Sequence, residues 1–401
     1  MTNIITEENQ AAEGQPAAKR RVLANKGDVF ASFDVNDFAV PGGRDEEWRF
    51  APLRRLNGLH DDTAAEPVAS SYAFVGVEAN DSVTVTEVDR GSELLGRAGT
   101  PVDIVAARAF STFDKAQVLT FAKDSVSKDP VTVTVTGPGD DQVAYGHLVI
   151  DVQANAEAVV VLDYRGTGTF ADNVEFVLGD GSRLAVVTLT NWDEGAVHLS
   201  AHHAAVGRDA TLRHSLATFG GSVVRVVPRV KFTAPGGDAE LLGVYFADAG
   251  QYFEQRLLVD HAVPNCRSNV MYKGALQGDP SSKLDARTAW VGDVLIRAEA
   301  EGTDTYELNR NLVLTEGARA DSVPNLEIET GEIQGAGHAA TVGRFDDEQL
   351  FYLLSRGIPE DVARRLVVRG FFNEVINLIP VEAIRDRLES LIDEELNTAG
   401  V

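Results

Sequence analysis

"VEFVLGDGSRLAVVTLTNW" (residues 174–192) and "ATLRHSLATFGGSVVRVVPRVKFTAPGGDAELLGVYFADAG" (residues 210–250) set the architecture of this 401-residue chain. Both consist of short runs of Val, Leu, Thr, Tyr and Phe broken by Gly and Asp, with no helical apolar period. That is the composition of strands separated by tight turns. A turn followed by a strand recurs three times, at Gly181-Ser182-Arg183-Leu184, Asp209-Ala210-Thr211-Leu212 and Asp238-Ala239-Glu240-Leu241. The leucines of these units stand 28 and then 29 residues apart. A quasi-repeat of that length, holding two or three short strands per unit, fits a stacked parallel β-helix better than a Greek-key sandwich.

The same texture runs from about residue 70 to 340 without a helix-period segment, so a β-helix core is expected over 71–344. Upstream, "RDEEWRFAPLRRLN" (44–57) has acids at its front and arginines at its back, as the helix dipole prefers, and predicts a short helix inside an N-terminal helical region, 29–70. Residues 1–28 are polar and lack a periodic apolar face, which predicts a mobile tail. After 344 the period changes. Phe345, Asp346, Gln349 and Leu350 fit a capping box with its hydrophobic staple, and Gly357 stands where a helix would end. Pro359 opens a second helix carrying Val368, Phe371, Phe372, Val375, Ile376 and Ile379 on one stripe, and Pro380 closes it. A third helix follows, completing a C-terminal helical domain over 345–401. Its stripes suit either a cap on the solenoid or a partner.

Composition excludes several classes. The net charge of −25 carries no basic stripe of the kind that releases counterions from a nucleic acid. A single cysteine, Cys266, excludes disulfide frameworks and CxxC metal boxes within the chain. No basic-then-apolar leader and no 18-residue apolar run occurs, which predicts a cytosolic chain that does not enter membranes.

Individual motifs point in two directions. Gly166 to Ala171 matches GxGxxA, but a strand pattern follows it where a dinucleotide site needs a helix N-terminus. No Walker A, GxSxG or HExxH sequence is present. His198 and His202 share one face of a strand and His203 the other, which suits satisfied strand histidines more than a metal site. Cys266 reads either as a thiol activated by Arg267 and Lys273 or as a small buried hydrophobe. His338, alone in a run of Gly and Ala, reads as structural or as a ligand with room around it.

Three segments, "RDEEWRF" (44–50), "DHAVPNCRSNVMYKG" (260–274) and "PNLEIETGEIQGAGHAATVGRFDDEQLFYLLSRGI" (324–358), together resemble the SufB/SufD family of the Suf iron–sulfur cluster assembly machinery. One cysteine in 401 residues favours the SufD side of that family over the SufB side. The resemblance implies a mainly β fold, a right-handed parallel β-helix flanked by an N-terminal helical region and a C-terminal α-helical domain. It also implies a non-catalytic scaffold that pairs with SufB through the β-helix, docks the ATPase SufC through its C-terminal helices, and shares a transient iron–sulfur cluster with SufB. A homodimer is a further expectation.

By the same resemblance His338 matches an iron or cluster ligand at the SufB interface, and Cys266 a thiol on a sulfur path. Leu350, Phe351, Phe371, Phe372 and Ile376 are the expected docking residues on the helices. The chain departs from some relatives in having Ala336 where they carry a cysteine and Trp290 where Phe is usual. Two rival readings are a purely structural ATPase-positioning partner and, from the enzyme class, a β-helix carbohydrate-active enzyme.

Overall fold

In the computed structural model the described residues are 25–398 apart from 79, 128, 345 and 346; side chains at 347–349, 361, 397 and 398 also lie outside the description. From Val143 to Arg344 strands of nine to eleven residues follow one another, and each pairs in parallel with the strands two before and two after it. Alternate strands therefore fall into two sheets, one of ten strands and one of nine, which face each other as a β-solenoid of about eight turns. The fold is mainly β, with few helices, placed towards the two ends of the chain.

The turns explain the stacking. Asn155, Gly181, Asp209, Gly236, Asn265 and Gly302 all have positive φ, between 53° and 84°. Only Gly and the short polar Asn and Asp adopt that conformation readily. They bond coil to coil, Asn155 N–H donating to Asp180 O and Gly181 N–H to Arg208 O. Register follows: Leu212 lies opposite Leu184 on one side, while on the other Ala239 takes that place and Leu241 lies opposite His214. A shift of two residues keeps the inward face inward, so the uneven spacing of the leucines does not disturb the core.

Three apolar layers result. The solenoid interior is filled by residues such as Leu184, Leu212, Phe176, Tyr245 and Trp290. Against the outer face of the ten-stranded sheet lie the N-terminal segment and a helix, α1, Ile104–Thr112. Against the outer face of the nine-stranded sheet pack the C-terminal helices, α2 (Asp347–Ser355), α3 (Glu360–Ile376) and α4 (Glu382–Thr398), chiefly through α3 and α4.

Several sequence expectations change. α1 interrupts the region read as entirely β. Its N-cap, Asp103, accepts from the backbone of Val105 and Ala106, and its apolar residues are buried while Arg108, Ser111 and Thr112 share the partly exposed face. The helix expected over 44–57 is two short 3-10 turns, Glu46–Trp48 and Leu53–Arg55. Two early pairings are antiparallel, Ser71–Val75 with Val131–Thr136 and Val83–Val88 with Ala116–Phe121, whereas the two-residue strand Pro67–Val68 pairs in parallel with Val143–Val152. They close the first coil and cover its edges.

Of the residues read as a tail, 25–28 rest on the far end of the solenoid, where Asn25 Nδ2 donates to Glu329 (2.8 Å) and Lys26 N–H to Glu327 (3.0 Å). Residues 1–24 lie outside the description, as do Phe345, Asp346 and the Gln349 side chain of the expected capping box. Gly357 has φ +82° just beyond α2 and Pro359 precedes α3, as expected. No helix among the described residues is long and apolar enough to cross a membrane.

The "RDEEWRF" segment is locked to the ten-stranded sheet by buried arginines. Arg225 reaches Asp103 at 2.9 Å and Glu254 at 3.5 Å, and its guanidinium lies 4.3 Å from the centre of the Trp48 ring. Arg256 donates to Glu46 O (2.7 Å).

Candidate functional site

His338 lies on Gly335–Arg344, the last strand of the nine-stranded sheet, directly opposite Glu307 of Asp304–Val313. The period of two points Ala336, His338 and Ala340 towards the axis of the solenoid, and Ala336 packs on its interior. Because this is the final coil, no further described strand covers them, and 43% of the His338 side chain remains exposed. Glu307, one coil deeper, is fully buried.

The two side chains meet, His338 Nδ1 standing 3.6 Å from Glu307 Oε1. Burial pushes the Glu307 carboxyl up to about 9, with the charge of Asp293 acting in the same direction and the backbone amide of Asn325 offsetting part of it. Sequence reading missed Glu307. The available signal was an acid at an inward position of a strand, between Thr305 and Asn309, where an apolar residue is the rule. Among the described residues no three of His, Cys, Asp and Glu gather tightly enough to enclose a metal ion.

Cys266 is far less accessible. Its side chain is buried at a turn, the sulfur facing Pro264 O (3.5 Å) and Ala234 O (3.8 Å). Burial raises the thiol, only partly countered by the backbone amides of Gly237 and Gly236. The cations read as thiolate activators are engaged elsewhere: Arg267 lies 3.6 Å from Asp304, and Lys273 bonds Glu374 and the backbone oxygen of Phe371 on α3. The geometry is that of the small buried hydrophobe. The rest of "DHAVPNCRSNVMYKG" is structural too, with His261 Nε2 bonded to Ser268 Oγ (2.9 Å), and Ser268 Oγ to Thr305 Oγ1 (2.6 Å).

The expected docking residues divide. Phe372 and Ile376 are fully buried and Leu350 nearly so, so these three are occupied within the chain. Phe372 and Ile376 hold α3 to the solenoid, because the α3 stripe matches the apolar outer face formed by Leu242, Val244 and Phe246. Phe371 lies at the edge of that contact under the Lys273 ammonium, 4.6 Å from its ring centre. Only Phe351 is fully available, at 71% exposure, and it is joined by Tyr352, Leu354, Val362 and Leu366.

The strand histidines are core residues. His198, His202 and His203 are buried; His202 Nδ1 meets His214 Nε2 at 3.0 Å, and burial lowers His203 and His214 to about 4. The GxGxxA stretch leads into the strand Thr169–Leu178, not a helix.

Comparison with known proteins bears on the whole chain. The family model described as "SUF system FeS cluster assembly, SufBD core domain" matches residues 134–371. An iron–sulfur cluster assembly SufBD family protein of Mycobacterium tuberculosis is 61% identical over 386 residues, 96% of each chain. One of Mycobacterium leprae is 61% identical over 373 residues, 93% of this chain and 94% of that one. A second SufBD family protein of Mycobacterium tuberculosis is 28% identical over 260 residues, 65% of this chain and 29% of its own length.

Proposed function

The chain belongs to the SufBD family of iron–sulfur cluster assembly proteins, and on that premise we propose that it is a SufD-type scaffold subunit, pairing with a SufB-type chain and docking a SufC-type ATPase. In this reading it works in the cytosol and catalyses no reaction itself. The nascent cluster is its cargo, held in part by His338 while the SufB-type chain supplies further ligands. ATP hydrolysis belongs to the SufC-type chain.

The observation that carries the reading is the terminal coil. Its two last strands, Ala318–Ile328 and Gly335–Arg344, present unpaired edges among the described residues, and His338 is exposed beside them in a frame of small residues. An open edge is a template for another strand, and a borderline nitrogen ligand at that edge suits iron. The exposed apolar residues of α2 and α3, led by Phe351, are the surface offered to the ATPase. Cys266 is retained as a thiol on a sulfur path only through the family resemblance; its burial demands opening of the turn around it.

The test is anaerobic co-purification of the tagged chain with SufB- and SufC-type partners, followed by iron and sulfide assay of wild type and His338→Ala. The expected result is an intact complex whose cluster content falls in the variant. An intact complex with unchanged iron and sulfide would leave the chain as architecture that positions the ATPase. Failure to form any complex would refute the scaffold reading.

A further inference from the structure

Glu307 poses a chemical problem that the solenoid does not solve. Its side chain is fully buried, and among the described residues only the backbone amide of Asn325 is placed to donate to it. An acid taken out of water with so few donors is costly, and a native chain that keeps one calls for a specific explanation. Among the described residues no lysine or arginine forms an ion pair with it. Packing alone is no explanation either, since the equivalent inward position one coil back is Val270 and apolar.

The surroundings make room for the group. A Cβ on Gly292 would stand 2.6 Å from Glu307 Oε2 and 2.2 Å from the Trp290 ring, so glycine is required there for the carboxylate and the indole to lie side by side. The indole Nε1 of Trp290 is likewise buried without a partner. On the outward side Ala336 and Ala340 flank His338 on the same face, so the imidazole is the terminal-strand side chain that stands over the carboxyl group.

The separation of the two groups discriminates between explanations. A charge-assisted hydrogen bond between imidazole and carboxylate brings nitrogen and oxygen to about 2.7–2.9 Å. Here they are 3.6 Å apart, beyond hydrogen-bonding range. Two ligand atoms each about 2.0–2.2 Å from one tetrahedral ion stand roughly 3.3–3.6 Å from each other. The observed gap is therefore that of two coordination positions on one ion. Imidazole with carboxylate suits borderline divalent cations such as iron(II).

We propose that Glu307 and His338 are adjacent ligands of one divalent-cation site at the open end of the solenoid, Oε1 from inside the penultimate coil and Nδ1 from the terminal one. The remaining positions on the ion face outwards and are free for ligands from a second chain. The inference rests on the reading of His338 as an interfacial ligand and deepens it, because it makes this chain a preformed half-site in place of a single imidazole.

The test uses the full-length chain alone under anaerobic conditions. Iron(II) is titrated calorimetrically and cobalt(II) by visible absorption into wild type, His338→Ala, Glu307→Gln and Glu307→Met. The two Glu307 replacements keep the volume of the site. Since they remove a poorly satisfied acid from the core, their metal-free melting temperatures should equal or exceed that of wild type. That result separates loss of binding from loss of fold. The expected result is one ion per wild-type chain, with affinity at least tenfold weaker in all three variants, and a cobalt spectrum that changes in both Glu307 variants. Weakening in His338→Ala alone would overturn the assignment of Glu307 while leaving the interfacial role of His338 standing. Wild-type binding no stronger than in the variants would overturn the half-site, and the iron and sulfide content of the co-purified complex would still decide His338 separately.

Discussion

Asp248, the last residue of its strand on the solenoid, and Glu395 on α4 share a hydrogen bond between two carboxyl groups. Burial raises both, and Asp248 helps push Glu395 up to about 8. Two acids in contact hold best with one proton between them. A carboxyl raised in the folded state contributes stability that is complete below its unfolded value, about 4.3, and is lost as pH rises through about 8. Docking of α4 should therefore weaken between pH 5 and pH 9. The urea midpoint, followed across that window, should fall in wild type and fall less steeply in Glu395→Gln; an unchanged slope in the variant would remove this pair from the account.

Phe372 is fully buried between α3 and the solenoid, whereas Phe351 is 71% exposed. Phe372→Ala should lower stability by about 3–5 kcal/mol. Phe351→Ala should leave it within about 0.5 kcal/mol while weakening capture of the ATPase. Chemical denaturation and a pull-down on the same two variants check both halves.

Lys273 fastens the nine-stranded sheet to α3 through Glu374, the Phe371 carbonyl and the Phe371 ring. Its side chain is only 2% exposed, while that of Glu374 is 49% exposed. Lys273→Met keeps the buried stem and removes the charge, so the Phe371 carbonyl loses its donor. A loss of about 1–3 kcal/mol is expected, with α3 and α4 released earlier in limited proteolysis.

Asp103 caps α1 and also neutralises the buried Arg225. Asp103→Ala leaves the buried guanidinium with Glu254 as its carboxylate partner and strips two backbone donors of their acceptor, at a cost of about 2–4 kcal/mol. Thermal unfolding of Asp103→Ala and Asp103→Asn separates the two contributions, since Asn retains the cap and loses the charge.

Cys266 should resist alkylation in the native chain and react readily once unfolded, because its thiol is buried and raised. Mass spectrometry after brief iodoacetamide treatment, with and without urea, measures this. Equal labelling in both conditions would show that the turn opens freely, and would strengthen the sulfur-path reading.

Local chemistry made the solenoid legible in the sequence. The turns at Gly181, Asp209 and Gly236 need residues that accept positive φ, and the runs of β-branched and aromatic residues between them carry no helical period. The C-terminal helices, their break at Gly357 and the isolated His338 were legible for the same reason. α1 was not, since its nine residues are too short a run for the polar face of Arg108, Ser111 and Thr112 to stand out among strands. What each apolar stripe covers was equally hidden: Phe371, Phe372 and Ile376 read alike along α3, yet packing against Leu242 and Phe246 leaves only Phe371 at the rim.

Periodicity and turn chemistry thus determined that this chain coils into a β-solenoid ending in helices, because each of those signals acts within a few residues. Tertiary structure alone decided that Glu307 lies beneath His338, that Cys266 is sealed, and that Asp248 meets Glu395. Those pairings join residues 31 and 147 positions apart, or depend on which face a whole sheet turns to its neighbours. Stacking register and layer packing fix such relationships, and neither is written in any short stretch of sequence.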